Sequence, residues 1–327
     1  MAPRTFLIDT DTASDDAVAL IMALRARVVG IDVRVVAITT VAGNVSVAQA
    51  AQNALYVADL CESEVPVFMG AARPLWREYM HAEWFHGRDG LGDHGYPAPR
   101  RSGALTHAVD AIVACVHENP GLTIVTLGPL TNVALALAKD PAIAAKVGRC
   151  VIMGGNPCCE GNVTPAAEYN IWVDPEAARI VLRSGMPIDL AGWQLCRAEA
   201  ALNPADIDRV LALDTPLARF AIECNSTAMA AYRAQTGESG ISLPDPIAMA
   251  IALDPSLCSN ASEHFVDVEV ASDLTRGMTV VDRLNVARDD RNCNVWQPLL
   301  VKNRKIRVCW TIDIARWKDA LYRALSP

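Results

Sequence analysis

Six short runs of apolar, largely β-branched residues, at 5–9, 34–40, 65–69, 122–127, 149–153 and 187–190, alternate with stretches of helical spacing at 17–28, 47–60, 105–118, 132–139 and 175–184. That rhythm leaves few folds open. Each strand is followed by a helix that must cross back over the sheet, so the strands run parallel and helices cover both faces. The expectation is an open, mainly parallel, Rossmann-like α/β sheet with its working groups at the carboxyl ends of the strands. No repeat, low-complexity tract or Gly/Ser linker divides the 327 residues, so one domain spanning 1–327 is expected. Two segments, near 76–101 and 224–246, break the rhythm and read as active-site loops.

The first strand runs directly into acid, in "FLIDTDTASDDAVALIMAL" at 6–24. Ser14 as helix cap, with Asp15 and Asp16 complementing the helix dipole, accounts for two of these carboxylates. Asp9 and Asp11 at the strand end remain, and carboxylates crowded together repel unless a cation or a proton neutralises them. A hard divalent cation with oxygen ligands is the economical solution. An aspartyl nucleophile for phosphoryl transfer is the competing reading, but Ala13 follows the paired Asp and no Lys with a second Asp pair completes that set.

Composition narrows the partners. With 29 Lys and Arg against 37 Asp and Glu, the net charge of -8 argues against a nucleic-acid backbone as ligand. The basic runs at Arg100–Arg101 and Lys302–Arg307 read as solvated surface. The opening "MAPRTFLID" has no signal-peptide pattern and no apolar run approaches membrane-spanning length, so a cytoplasmic protein without membrane contact is expected. The ten cysteines are scattered through apolar segments and read as mostly buried, reduced side chains, and adjacent Cys158 and Cys159 lack zinc-ligand spacing.

The opening stretch resembles the "DTDPGxDDA" signature of the inosine-uridine-preferring nucleoside hydrolase family, with Thr12-Ala13 in place of Pro-Gly. "ITTVAGNVSV", "HGRDGLG", "TLGPLTNVALAL", "VIMGGN", "GNVTPAAEYNIWVDPEAARIVL" and "GMTVVD" resemble that family in the same order, over nearly the whole chain. The resemblance implies Ca2+-dependent hydrolysis of the N-glycosidic bond of ribonucleosides and a homodimer or homotetramer. By motif match, Asp11, Asp16, the Leu127 carbonyl and Asp245 are the calcium ligands, with Asp11 also the general base. Asp15, Asn44, Asn162, Glu168 and Asn170 take the ribose. Asp174-Pro175 reads as a helix start without chemistry.

The match departs at one chemically important place. Where the best-known branch has a His that protonates the leaving base, just before the last calcium-binding Asp, this chain has Pro244, which has no proton to give. Trp84 and Trp193 are then expected to stack a purine, with His86 or Tyr232 delivering a proton. The alternative is a ribose- or nucleoside-binding protein of the same fold that turns over poorly.

Overall fold

The computed structural model describes residues 3–291 and 305–327. Its centre is an eight-stranded sheet made of β1 (Arg4–Thr10), β2 (Val33–Thr40), β3 (Val67–Met69), β4 (Thr123–Thr126), β5 (Arg149–Met153), β6 (Ile188–Ala191), β7 (Cys258–His264) and β10 (Ile306–Ile312). Between the last two, β8 (Val266–Val268) and β9 (Thr279–Val281) form an antiparallel hairpin of their own. The order across the sheet is β3-β2-β1-β4-β5-β6-β10-β7. All neighbours are parallel except β10 and β7.

After β1 the chain builds outward through β2 to β3, then returns to β4 on the other side of β1. That reversal opens a crevice beyond the ends of β1 and β4, the place where open α/β sheets bind ligands.

The helices are α1 (Ser14–Leu24), α2 (Val47–Leu60), α3 (Glu83–His86), α4 (Ala108–Glu118), α5 (Thr131–Lys139), α6 (Tyr169–Val173), α7 (Pro175–Leu182), α8 (Pro204–Leu211), α9 (Pro216–Glu223), α10 (Ser226–Thr236), α11 (Pro244–Leu253) and α12 (Ile314–Leu325). In β1, Phe6 and Ile8 enter the hydrophobic layer shared with α1, α2, α9, α11 and α12, whereas Leu7 enters the layer under α4, α5 and α7. Side chains alternate across a strand, so a strand buried on both faces needs the continuous apolar run seen here. None of the helices among the described residues is long and apolar enough to cross a membrane.

Helix α1 is buried from Ser14 through Ala23 and packs most extensively against α11. Those two helices carry the acids of the site. Truncating Leu20, fully buried in this layer, to Ala is expected to cost about 2–5 kcal/mol. Urea denaturation should show the midpoint falling with an unchanged slope.

The expected strands and helices appear with ends shifted by a few residues, but four readings need correction. Ser14 does not cap α1: the cap position is Ala13, and the Asp16 carboxylate accepts from the Ala13 N–H at 2.9 Å. The 224–246 segment is not a continuous loop, because α10 occupies its middle and ends at Gly237 in left-handed conformation. Arg307 is not solvated surface; it lies in β10 and donates to Asp189 at 3.1 Å, while 302–304 fall outside the described residues. Arg101 is half-buried, its guanidinium donating to the Ser63 carbonyl.

Candidate active site

The end of β1 delivers Asp11 between the segments that follow β2 and β4. Asp11 is fully buried; its Oδ2 accepts from the Asn44 N–H at 2.6 Å and its Oδ1 has no partner. Glycine is needed on both sides. A Cβ on Gly43 would come within 2.0 Å of Asp11 Oδ2, and one on Gly128 within 2.6 Å of Oδ1.

Three further carboxylates converge here. Asp15 and Asp16 stand in the first turn of α1, and Asp245 in the first turn of α11, with oxygens of all three within 4.8 Å of one another. Asp16 is held by the Thr10 hydroxyl at 2.5 Å as well as by Ala13. One oxygen each of Asp15 and Asp245 is buried without a partner. Burial first, and mutual repulsion second, push the carboxyls of Asp11 and Asp15 up, the latter to about 7; Asp245 is raised for the same reasons. Asp16 is raised by burial against the pull of the Thr10 and Ala13 hydrogen bonds.

The donor set fits a hard divalent cation. Unpartnered buried oxygens on Asp11, Asp15 and Asp245 form the kind of all-oxygen cluster that is costly when bare and suited to such an ion. Leu127 lines the cavity beside these acids, and its carbonyl accepts from Asn170 Nδ2 at 2.8 Å. The tightest trio is Asp15, Asp16 and Asp245, so Asp15, expected on the ribose side, also belongs to the acidic cluster, with Asp11 beside Asp16.

Asp9, one turn of strand below, is a supporting group. Its Oδ1 accepts from Thr39 and from Asn132 Nδ2, and Asn132 also grips the Thr40 carbonyl and the Ala71 N–H.

The cavity opens beside the acids, with Asp15 and Asp245 in its wall. Asp15, Asp245, Leu127, Asn44, Asn162, Glu168 and Asn170 are among its lining residues, as are Trp84, His86 and Trp193. Trp193 is buried, whereas Trp84 is 64% exposed at the rim. Pro244 also lines the cavity; as the first residue of α11 it occupies the position where a missing N–H costs nothing.

Several side chains are more committed than the sequence suggests. Glu168 caps α6 and accepts from the N–H groups of Gly155, Asn170 and Ile171. The Asn162 side chain accepts from Tyr169 N–H, and the Asn170 amide is turned to Leu127.

The two proposed proton donors fare differently. His86 Nδ1 lies 2.8 Å from Ser14 Oγ, and burial drives its pKa down to about 3, so the ring is neutral and offers an N–H but not an imidazolium proton. Tyr232 is not among the cavity's lining residues; its hydroxyl donates to Glu238, and burial holds its pKa above the ordinary value. It therefore drops out as a proton donor to the cavity. Its place on α10 turns it into the protein while Ala228 and Gln235 of the same helix face the cavity.

Sequence reasoning missed Tyr169, Trp172, Phe85, Met80 and Gln235 in the lining. For Tyr169 and Trp172 a signal existed, since "AEYNIWVD" places them beside the expected Glu168 and Asn170.

The profile of the family described as inosine-uridine preferring nucleoside hydrolase matches residues 6–319. The pyrimidine-specific ribonucleoside hydrolase RihA of Shewanella sp. (strain MR-7) is 39% identical over 295 residues, covering 89% of this chain and 91% of that protein. RihA of Salmonella agona is 38% identical over 292 residues, covering 88% and 92%. Among solved structures, the plant nucleoside hydrolase PpNRh1 superposes with a TM-score of 0.89 at 32% identity over 99% of both chains. A purine-preferring ribonucleoside hydrolase from Gardnerella vaginalis gives 0.87 at 29% identity over 98% of both.

Proposed function

The chain belongs to the inosine-uridine preferring nucleoside hydrolase family and is a ribonucleoside hydrolase, and from that premise we propose that it cleaves purine ribonucleosides to ribose and free base with Ca2+ held by Asp11, Asp16, Asp245, the Leu127 carbonyl and Asp15. The observation that carries the reading is the set of unpartnered carboxylate oxygens on Asp11, Asp15 and Asp245, the last two lining one cavity with the asparagines and tryptophans.

Calcium, when bound, would supply charge that acidifies a water molecule and a fixed point for vicinal ribose hydroxyls. The chain's own residues do the rest. Asn44 N–H pins one Asp11 oxygen, leaving the other to take the proton of the attacking water. Attack by water itself, without a covalent sugar intermediate, inverts the anomeric carbon. Asn44, Asn162, Asn170 and Glu168 line the cavity in which the ribose would sit, Asn162, Asn170 and Glu168 fixed by their own hydrogen bonds. Their fixed dipoles favour the developing oxocarbenium charge.

The purine preference is supported by Trp84 and Trp193 on the cavity wall and by Pro244 where a proton donor would stand. A purine ring can take its proton from solvent while stacked, and neutral His86 can hydrogen-bond the departing base. Pyrimidine preference is the second reading, favoured by the names of the relatives at 38–39% identity.

Ribose release from inosine, guanosine, adenosine, uridine and cytidine, with calcium and after chelation, separates the two readings. At least a tenfold higher kcat/KM for the purines is expected, about 1.4 kcal/mol of transition-state discrimination. Faster turnover of uridine or cytidine assigns the pyrimidine reading instead.

A cytoplasmic site of action is supported by the nine cysteines of the described residues, all unpaired. A homodimer or homotetramer is supported by exposed Trp76, Leu105 and Leu274. Sedimentation of the purified protein reads the subunit number directly.

A further inference from the structure

Two tyrosine hydroxyls outside the acidic cluster converge on the turn that holds Asp11. Tyr79 Oη donates to the Gly43 carbonyl at 3.1 Å, and Tyr169 Oη lies 2.8 Å from the same carbonyl and 2.7 Å from that of Met80. A phenol has one proton. Both carbonyls are therefore satisfied together only when Tyr79 serves Gly43 and Tyr169 serves Met80.

The peptide they fix is the one that matters. The Gly43 carbonyl belongs to the peptide whose N–H, on Asn44, donates to Asp11 Oδ2 at 2.6 Å. The Gly43 Cα packs so closely on the same carboxylate that no side chain fits. A third bond, Ala82 N–H to the Asn44 carbonyl at 2.9 Å, ties the other side of Asn44 to the segment that carries Tyr79 and Met80. A rotation of this peptide would release the Asp11 oxygen and change the direction of the other one.

The geometry points to Tyr79 and Tyr169 as positioning residues for Asp11, acting through the Gly43–Asn44 peptide and sharing one task between two hydroxyls. This rests on the reading of Asp11 as general base and cation ligand. Neither hydroxyl needs to meet the substrate. Outer groups that orient a ligating or reacting side chain typically contribute 10- to 100-fold in activity or cation affinity. Because either hydroxyl can serve Gly43 alone, the single losses are buffered and the double loss is not.

The test uses Tyr79→Phe, Tyr169→Phe and the double variant, each keeping its ring, with Asp11→Asn as reference. The expected result is a kcat loss of about threefold in either single variant and about 30-fold or more in the double, beyond the product of the singles. KM for the best nucleoside should stay within about threefold, and calcium affinity measured by calorimetry should fall in the double variant alone. Mere structural support would lower the melting temperature and raise KM together. A double variant with kcat and calcium affinity within twofold of the parent, or a kcat loss matched by loss of folding, overturns the inference. An active Asp11→Asn protein would instead overturn the reading on which it rests.

Discussion

Asp11→Asn is expected to lower kcat/KM by about 10⁴-fold or more while making the cation-free protein more resistant to heat. General-base catalysis contributes about 10² to 10⁴, and weakened cation binding adds to the loss. Asparagine keeps an oxygen for the Asn44 N–H, so the turn itself is preserved. It also removes one of four buried carboxyls that repel one another, whose burial raises the Asp11 pKa well above the usual range. A site that works by holding like charges together is destabilising when bare. Ribose-release kinetics and a melting curve in chelator, run on the same preparation, check both halves. If activity and melting temperature fall together, Asp11 is a structural residue and the catalytic assignment is wrong.

Calcium should be the second large lever. Chelation is expected to abolish ribose release, and restoring the ion should stabilise the fold. At a hundredfold excess over Kd the gain is about 2.7 kcal/mol. For 327 residues that corresponds to a rise of about 4 °C, taking about 2.1 cal/mol/K of unfolding entropy per residue. Carboxylates must be deprotonated to ligate, so the rise should be smaller at pH 5 than at pH 8. Magnesium, which asks for a near-ideal octahedron, should give less than calcium. Differential scanning calorimetry with each ion decides the matter; identical curves with calcium and with chelator would exclude these acids as a cation site.

What the sequence disclosed follows from how local each signal is. Strands β1, β4, β5 and β6 are apolar runs buried on both faces, and Asp174-Pro175 announces α7 through its own cap: Asp174 accepts from Ala177 N–H. The carboxylates at 11, 15 and 16 are conspicuous because they crowd one short stretch. By contrast β7, "CSNASEH", is a polar edge strand with no apolar run to betray it. Helix α10 was obscured by the glycines beyond its end and by a weakly apolar composition. The Tyr169 contact spans 126 positions from phenol to carbonyl and leaves no periodic trace. Likewise the Ser14 hydroxyl, inside α1 and not at its cap, meets His86 72 positions away.

The pairing of α1 with α11 has a consequence for the order of events in synthesis. The acids of β1 and α1 leave the ribosome early, whereas Asp245 arrives only with α11, after most of the sheet has been made. Until those two helices meet, the nascent chain has half a cage and three carboxylates that keep apart. Capture of an ion there would therefore close folding instead of starting it, since the contact it completes joins residues far apart in the chain. An interaction formed after the transition state slows unfolding and leaves the folding rate nearly untouched. A bound ion would then work as a latch, prolonging the life of finished molecules without hastening the making of new ones.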